Sequence, residues 1–265
     1  MDPASEDMSI TIEDGIFKTD IPAFSDQLLK ECFRAFLDQE EGYRKSHLQT
    51  NYGYAFDGYS YYGQSDSSNQ AYDDLLETFV FSNFFPKEKF PQEFSAFFSK
   101  QWNQLLHSIS SIESKAIETL GMSSVSDLHA NLGHMVSCNY YPAQEHFDHS
   151  AAKNTRLSAH PDVSLLTIFP FGIDGDLQYE TSDGSWKNME STQGIIGFPG
   201  YLMELISGGK IKALNHRVKL SDNRKAERFS FAFFSLPFSE FELVIPDQNS
   251  ISGKEYFEKY LQLFD

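Results

Sequence analysis

Three residues stand out for the chemistry their spacing allows. His160-Pro161-Asp162 places an imidazole and a carboxylate two positions apart. In a β-strand such residues point to the same face and can serve one ion. Fifty-six positions on (216 − 160 = 56) comes His216, in the strand-like run Ala213-Leu214-Asn215-His216-Arg217-Val218. Two His and one carboxylate on one side of a metal, with the remaining positions open, are the ligand set of oxygen-activating non-haem iron(II) sites.

A lone His-x-Asp is a weak signal, and the chain carries a second copy, His146-Phe147-Asp148, followed by His149. That copy sits among Gln144, Glu145, Lys153 and Asn154 and leads into no apolar run, so it reads as a solvated loop. The first copy runs directly into Val163-Ser164-Leu165-Leu166-Thr167-Ile168. His47, His107, His129 and His134 show no partner pattern and default to core or surface roles.

A cation suited to an anionic ligand lies in Arg228-Phe229-Ser230, within RFSFAFFSLP. Period-two alternation puts Arg228, Ser230 and Ala232 on one face and Phe229, Phe231 and Phe233 on the other. An inward guanidinium beside a hydroxyl can clamp a carboxylate; the plainer alternative is an Arg paired with a structural Asp or Glu. In Asn139-Tyr140-Tyr141-Pro142, Asn139 and Tyr141 likewise share a face.

The elements that must position these residues follow from pattern. From about residue 130, short apolar runs alternate with Gly, Pro, Asn and Asp turns, at 133–142, 157–171, 175–181, 194–207, 211–219 and 228–237. That is the texture of an antiparallel sandwich or barrel. Ahead of it, Phe94, Phe97, Phe98, Trp102, Leu105, Leu106, Ile109, Ile112, Ala116, Ile117 and Leu120 recur at helical spacing between Pro91 and Gly121. This predicts one long scaffold helix. A shorter helix carries Leu28, Leu29, Cys32, Phe33, Phe36 and Leu37, with Ser25 as its N-cap. An edge strand is expected around Ile10–Phe17, and a strand pair or ordered loop over 50–64. Ser207-Gly208-Gly209-Lys210 lacks the spacing of a phosphate loop and reads as a hairpin turn.

With no linker visible, the 265 residues are read as one domain: a helical and strand support over 1–130, the β core over 131–240 and a C-terminal segment over 241–265. Aromatics reach 15%, with 25 Phe and 13 Tyr, which suits thick sheet packing. The net charge of −17 disfavours nucleic-acid and anionic-membrane partners. It also means that an anionic co-substrate needs a local cation. Two cysteines imply no disulfide framework, the acidic N-terminus is no targeting peptide, and no apolar run reaches the ~18–20 residues of a membrane span. A cytoplasmic enzyme is the expectation.

Taken together, the stretch from Asn139 to Pro237 resembles the isopenicillin N synthase and plant-type 2-oxoglutarate dioxygenase superfamily. NYYP, HPDVSLLTI, GDLQYETSDGSW, ISGGKIKALNHRV and RFS occur in the order that family shows. The long helix and the GYSYYG region resemble its N-terminal part more loosely. The resemblance implies a mainly β fold with flanking helices, a double-stranded β-helix (jelly roll) with the metal at its open end. It implies His160, Asp162 and His216 as iron(II) ligands, Arg228 and Ser230 on the distal carboxylate of 2-oxoglutarate, and Tyr141 and Asn139 also reaching that co-substrate. The implied reaction uses O2, yields succinate and carbon dioxide, and hydroxylates, desaturates or cyclises a small molecule, with a place in specialised metabolism.

This chain departs from the plant pattern after NYYP, where Ala143-Gln144 replace Pro-Cys, and it is shorter at the N-terminus. The rivals are an isopenicillin N synthase-type oxidase, in which Arg228 and Ser230 bind the substrate's carboxylate, and a non-catalytic jelly-roll binding protein. A halogenase is rejected because Asp162 is present. Tyr52, Tyr54, Tyr59, Tyr61 and Tyr62 are candidate walls of the substrate pocket, with ordinary core packing the equal alternative.

Overall fold

The computed structural model describes residues 8–62, 74–143, 155–190, 192, 194–220, 226–246 and 249–264. Its strands are β1 (Ile10–Glu13), β2 (Ile16–Pro22), β3 (Gly58–Ser60), β4 (Glu77–Ser82), β5 (Leu132–Tyr141), β6 (Thr155–His160), β7 (Leu166–Phe169), β8 (Leu177–Glu180), β9 (Trp186–Asn188), β10 (Gly194–Pro199), β11 (His216–Lys219), β12 (Arg228–Pro237), β13 (Glu242–Leu243) and β14 (Ile251–Ser252). The larger sheet runs β1-β2-β10-β7-β12-β5-β4-β3 and the smaller β6-β11-β8-β9, with antiparallel pairing throughout. The two sheets enclose a cavity between them, the jelly-roll arrangement.

β12 is the spine of the larger sheet. It pairs with β5 over ten unbroken positions, from Arg228↔Tyr141 to Pro237↔Leu132. Its alternation is as the sequence predicts. Arg228, Ser230, Ala232 and Phe234 face the cavity, while Phe229 and Phe233 meet Phe33 and Trp102 of the helical layer outside.

That layer contains α1 (Gln27–Leu37), α2 (Glu41–Lys45), α3 (Ser95–Phe97), α4 (Asn103–Thr119) and α5 (Ser126–His129). Phe33, Phe36, Phe79, Phe81, Phe94 and Phe97 are fully buried where it packs on β4. The long helix is not uniform. A 3₁₀ turn (Gln92–Phe94), α3 and a π-helical turn (Phe98–Trp102) precede α4. The wider π turn lets Phe98 and Trp102 both reach the Phe81 ring, at 4.9 and 5.4 Å. Gly121, at φ 70°, closes the helix through Met122 N to Ile117 O and Gly121 N to Glu118 O. α1 begins at Gln27 with Asp26, and not Ser25, at its N-cap and no side-chain capping bond there; the Ser25 hydroxyl only accepts weakly from Gln27 N at 3.4 Å.

Four local expectations are corrected. The edge strand at 10–17 is a two-strand hairpin turning on Asp14-Gly15, both at positive φ. The run 157–171 is two strands, β6 and β7, in different sheets, joined by a corner at 161–165. The apolar run 194–207 leaves the sheet after Pro199 and continues as α6 (Tyr201–Ile206), because Leu202, Met203 and Ile206 fall at helical steps. Ser207–Lys210 therefore ends a helix instead of turning a hairpin, with Gly208 and Gly209 at φ 61° and 78°. Of region 50–64, the described residues 50–62 are largely ordered loop, with β3 the one strand among them. The chain closes with α7 (Gly253–Leu261), started by a Ser252/Glu255 capping box. Cys32 and Cys138 are free and buried. Among the described residues no helix is long and apolar enough to cross a membrane.

Candidate active site

His160 closes β6 and His216 opens β11, and the ladder sets them directly opposite each other. Their rings lie 4.6 Å apart between centroids. Asp162 is delivered differently from the sequence expectation. It lies past the end of β6, in the corner leading to β7, so loop geometry and not strand alternation turns it back toward the imidazoles. All three residues are buried.

Each imidazole is oriented from behind. His160 Nδ1 lies 2.8 Å from Ser158 O, and His216 Nδ1 3.1 Å from Leu214 O. A carbonyl can only accept, so both Nδ1 atoms carry a proton, and in the neutral rings both Nε2 atoms present a lone pair. Asp162 Oδ2 is occupied by the Thr167 hydroxyl at 2.7 Å, itself 2.8 Å from Ser164 Oγ. Oδ1 remains, 3.5 Å from His160 Nε2 and 3.6 Å from His216 Nε2. Bonds of about 2.0–2.2 Å set two ligand atoms on one metal roughly 3 Å or more apart. The donors therefore fit a divalent ion. Burial pushes the Asp162 carboxyl up, but His216, His160 and Thr167 outweigh it and hold it below its ordinary value. Burial lowers His216, whereas burial on His160 is outweighed by Asp162, which leaves that imidazole raised.

A second His–His–carboxylate cluster, Glu113, His129 and His134, is equally buried. Its geometry is that of hydrogen bonds. Both Nε2 atoms lie 2.8 Å from the same oxygen, Glu113 Oε2, so both carry protons directed at a carboxylate. The expectation of plain core roles for His129 and His134 missed this network, since its members come from α4, α5 and β5. His47 is half-buried against Phe36 and Tyr43, and His107 is exposed. His146, Asp148 and His149 lie outside the described residues.

The residues expected to hold an anion lie on the β5–β12 ladder. Arg228 pairs with Tyr141 and Ser230 with Asn139, and all four line the cavity that also holds the triad. The Arg228 guanidinium packs 4.7 Å over the Tyr141 ring, and its Nε donates to Asp174 Oδ2 at 2.5 Å. The pairing with a structural Asp, the plainer alternative for Arg228, is therefore present. One edge is pinned by a structural Asp, while the buried Nη1 has no partner among the described residues. Burial raises the Tyr141 phenol to about 12, keeping it a hydrogen-bond donor. Asp174 and the fully buried Arg156, 5.7 Å over the Tyr141 ring, carry no local sequence signal.

Beyond the triad and the Arg228 group, with Thr78 and Ser137 near it, most of the cavity wall is apolar. Phe56, Leu76, Val80, Met135, Val163 and Phe234 line it, with Gln49, Asp74 and Tyr260 as polar points. None of the five candidate tyrosines is among its described lining residues. Tyr59 donates to Glu77, Tyr52 stacks on Phe90 and Tyr54 donates to Pro237 O. The 50–64 segment does reach the cavity, but through Phe56.

Comparison with known proteins agrees with this geometry. Residues 132–237 match the model of the 2OG-Fe(II) oxygenase superfamily. Gibberellin 3-beta-dioxygenase 4 of Arabidopsis thaliana is 30% identical over 123 residues, which cover 41% of this chain and 34% of that one, so the match spans about a third of the relative. Two solved structures share the fold. JOX2 in complex with 2OG, Fe and JA has a TM-score of 0.70 at 18% identity, over 94% of this chain and 81% of that one. The dioxygenase for auxin oxidation of rice has 0.63 at 16%, over 91% and 83%. The stretch that resembles the 2OG-Fe(II) oxygenase superfamily is thus the β core that carries the triad and the Arg228 strand.

Proposed function

We propose that this protein is an iron(II)- and 2-oxoglutarate-dependent oxygenase of a small organic molecule. The observation that carries the reading is the convergence of three lone pairs, on His160 Nε2, His216 Nε2 and Asp162 Oδ1, with each ligand's other polar atom already engaged. Iron bound there supplies oxygen activation coupled to decarboxylation of the 2-oxo acid.

The residues of the chain bind, orient and exclude water. Arg228 Nη1, the Ser230 hydroxyl and the Tyr141 phenol offer donors to the distal carboxylate, with Asn139 beside them. Asp174 fixes the guanidinium plane. A net charge of −17 makes this buried cation the local device that admits a dianion. The apolar wall of Phe56, Leu76, Val80, Met135 and Phe234 suits an apolar substrate body and keeps bulk water from the metal. The relatives described above are named for, or bound to, a gibberellin, JA and auxin, all small molecules.

The test is anaerobic titration of iron(II) and then 2-oxoglutarate, followed by succinate release in air. A visible band that needs both, and that is absent in His160→Ala, supports the reading. Turnover at full rate without 2-oxoglutarate would move the protein to the oxidase class and make Arg228 a substrate-binding residue.

A further inference from the structure

Asp162 is the one candidate ligand with no strand to hold it, yet its peptide is gripped on every side. Its own carbonyl accepts from Tyr201 N at 2.7 Å. The carbonyl before it, Pro161 O, accepts from the Tyr260 phenol at 2.8 Å, and the carbonyl after it, Val163 O, accepts from the Tyr256 phenol. Tyr256 and Tyr260 are four residues apart on α7 and so lie on one helical face. Both are buried, and Tyr260 also lines the cavity beside the triad.

α7 is itself anchored. The capping box fixes its start, Tyr256 stacks on Tyr201 at 17° between planes, and Gly253 approaches Phe238 O so closely that a Cβ would sit 2.2 Å from it. The helix lies outside residues 132–237, the stretch that matches the family model.

We propose that α7 is a working part of the metal site, with Tyr256 and Tyr260 as positioning residues that hold the two carbonyls flanking Asp162. The proposal rests on reading His160, Asp162 and His216 as the iron ligands. With both neighbouring carbonyls held, the Asp162 backbone cannot rotate, and Thr167 on Oδ2 leaves Oδ1 turned to the imidazoles. Loss of either phenol frees one side of that peptide without touching a ligand. Groups that orient metal ligands typically matter about ten- to a hundredfold in metal affinity.

The experiment uses full-length Tyr256→Phe, Tyr260→Phe and the double variant. The control is Tyr43→Phe, whose phenol donates to Glu93 Oε2 at 3.0 Å in the outer helical layer. Iron(II) affinity is titrated anaerobically, the visible spectrum is recorded after adding 2-oxoglutarate, and Tm is measured. Each α7 variant is expected to bind iron(II) about tenfold more weakly, with a shifted spectrum. Tyr43→Phe should change Tm alone. Unchanged affinity and spectrum in folded α7 variants, or an equal loss in Tyr43→Phe, overturns the proposal. Should Tyr256→Phe fail to fold, Tyr260→Phe at the cavity edge decides. Failure of the site reading is distinguishable: wild-type iron binding that is insensitive to His160→Ala overturns that reading first, and this one with it.

Discussion

His160 and His216 are direct cross-strand partners in the β6–β11 ladder, so residues 56 positions apart in the chain present their rings 4.6 Å from each other. Each ring is aimed by a carbonyl two residues before it on its own chain segment, Ser158 O and Leu214 O. The two imidazoles of the proposed metal site are thus set by backbone pairing, and the consequences below follow from it.

Metal should stabilise the fold as well as enable turnover. A ligand present at a hundredfold its Kd adds about 2.7 kcal/mol. Iron(II) or a manganese surrogate is expected to raise Tm by several degrees in wild type and in His134→Asn. Chelation should remove the gain, and His160→Ala and His216→Ala should show none. Thermal melts with and without metal check this.

Arg228 and Asp174 should act together on 2-oxoglutarate. A charge-assisted hydrogen bond contributes roughly 1.5–3 kcal/mol, so Arg228→Ala should weaken 2-oxoglutarate binding about ten- to a hundredfold. Arg228→Lys keeps charge without the fork and should recover only part. Asp174→Asn leaves the cation but loosens its plane, so a smaller loss is expected. The 2-oxoglutarate dependence of the visible band measures all three.

Phe56, and not the tyrosines near it, should govern the substrate. Phe56→Ala opens the apolar wall and is expected to raise KM for substrate while leaving the KM for 2-oxoglutarate unchanged. Tyr59→Phe, remote from the cavity, should alter Tm but neither KM. Steady-state kinetics with each substrate varied separates the two.

The Glu113 cluster should show itself in the pH dependence of stability. Burial pushes the Glu113 carboxyl up, but His134 and His129 outweigh this and hold it near 2, so its contribution is present above about 4.5 and lost as pH falls toward 2. Burial lowers His134 but Glu113 outweighs it, leaving the imidazole raised; its contribution is present below 6.5 and lost as pH rises through the raised value. Breaking such a buried pair costs about 3–5 kcal/mol. Glu113→Gln should therefore lower Tm steeply and flatten its decline on the alkaline side, as Tm measured from pH 5 to 9 would show.

Gly200 should tolerate no side chain. A Cβ there would lie 2.3 Å from Ser164 O and 2.9 Å from Asp162 O, both backbone atoms of the ligand corner. Gly200→Ala is expected to displace the Asp162 loop and weaken iron(II) binding, whereas Gly175→Ala, with open space around it, should not. Anaerobic metal titration compares the two.

Much of the site was legible in the sequence because its parts are local. His160 and Asp162 are two positions apart, and the inward face of RFSFAFFSLP is set by the two-residue period of a strand, which tertiary packing did not alter. The helical spacing of Phe94 to Leu120 likewise marked the outer layer, although the π turn at Phe98–Trp102 depended on how those rings meet Phe81. What only tertiary structure decided are relations between elements distant in the chain: Asp174 on Arg228, Glu113 between His129 and His134, and Phe56 in place of its tyrosine neighbours on the cavity wall. Apolar content alone also misread 201–206 as strand, because a short run fits either period until its neighbours are known. The same holds for Asp162, whose side chain is aimed by Thr167, Tyr201, Tyr256 and Tyr260. Hydrogen bonds between groups as many as 99 residues apart leave no periodic trace in the sequence, and they exist only once the sheets and α7 have packed.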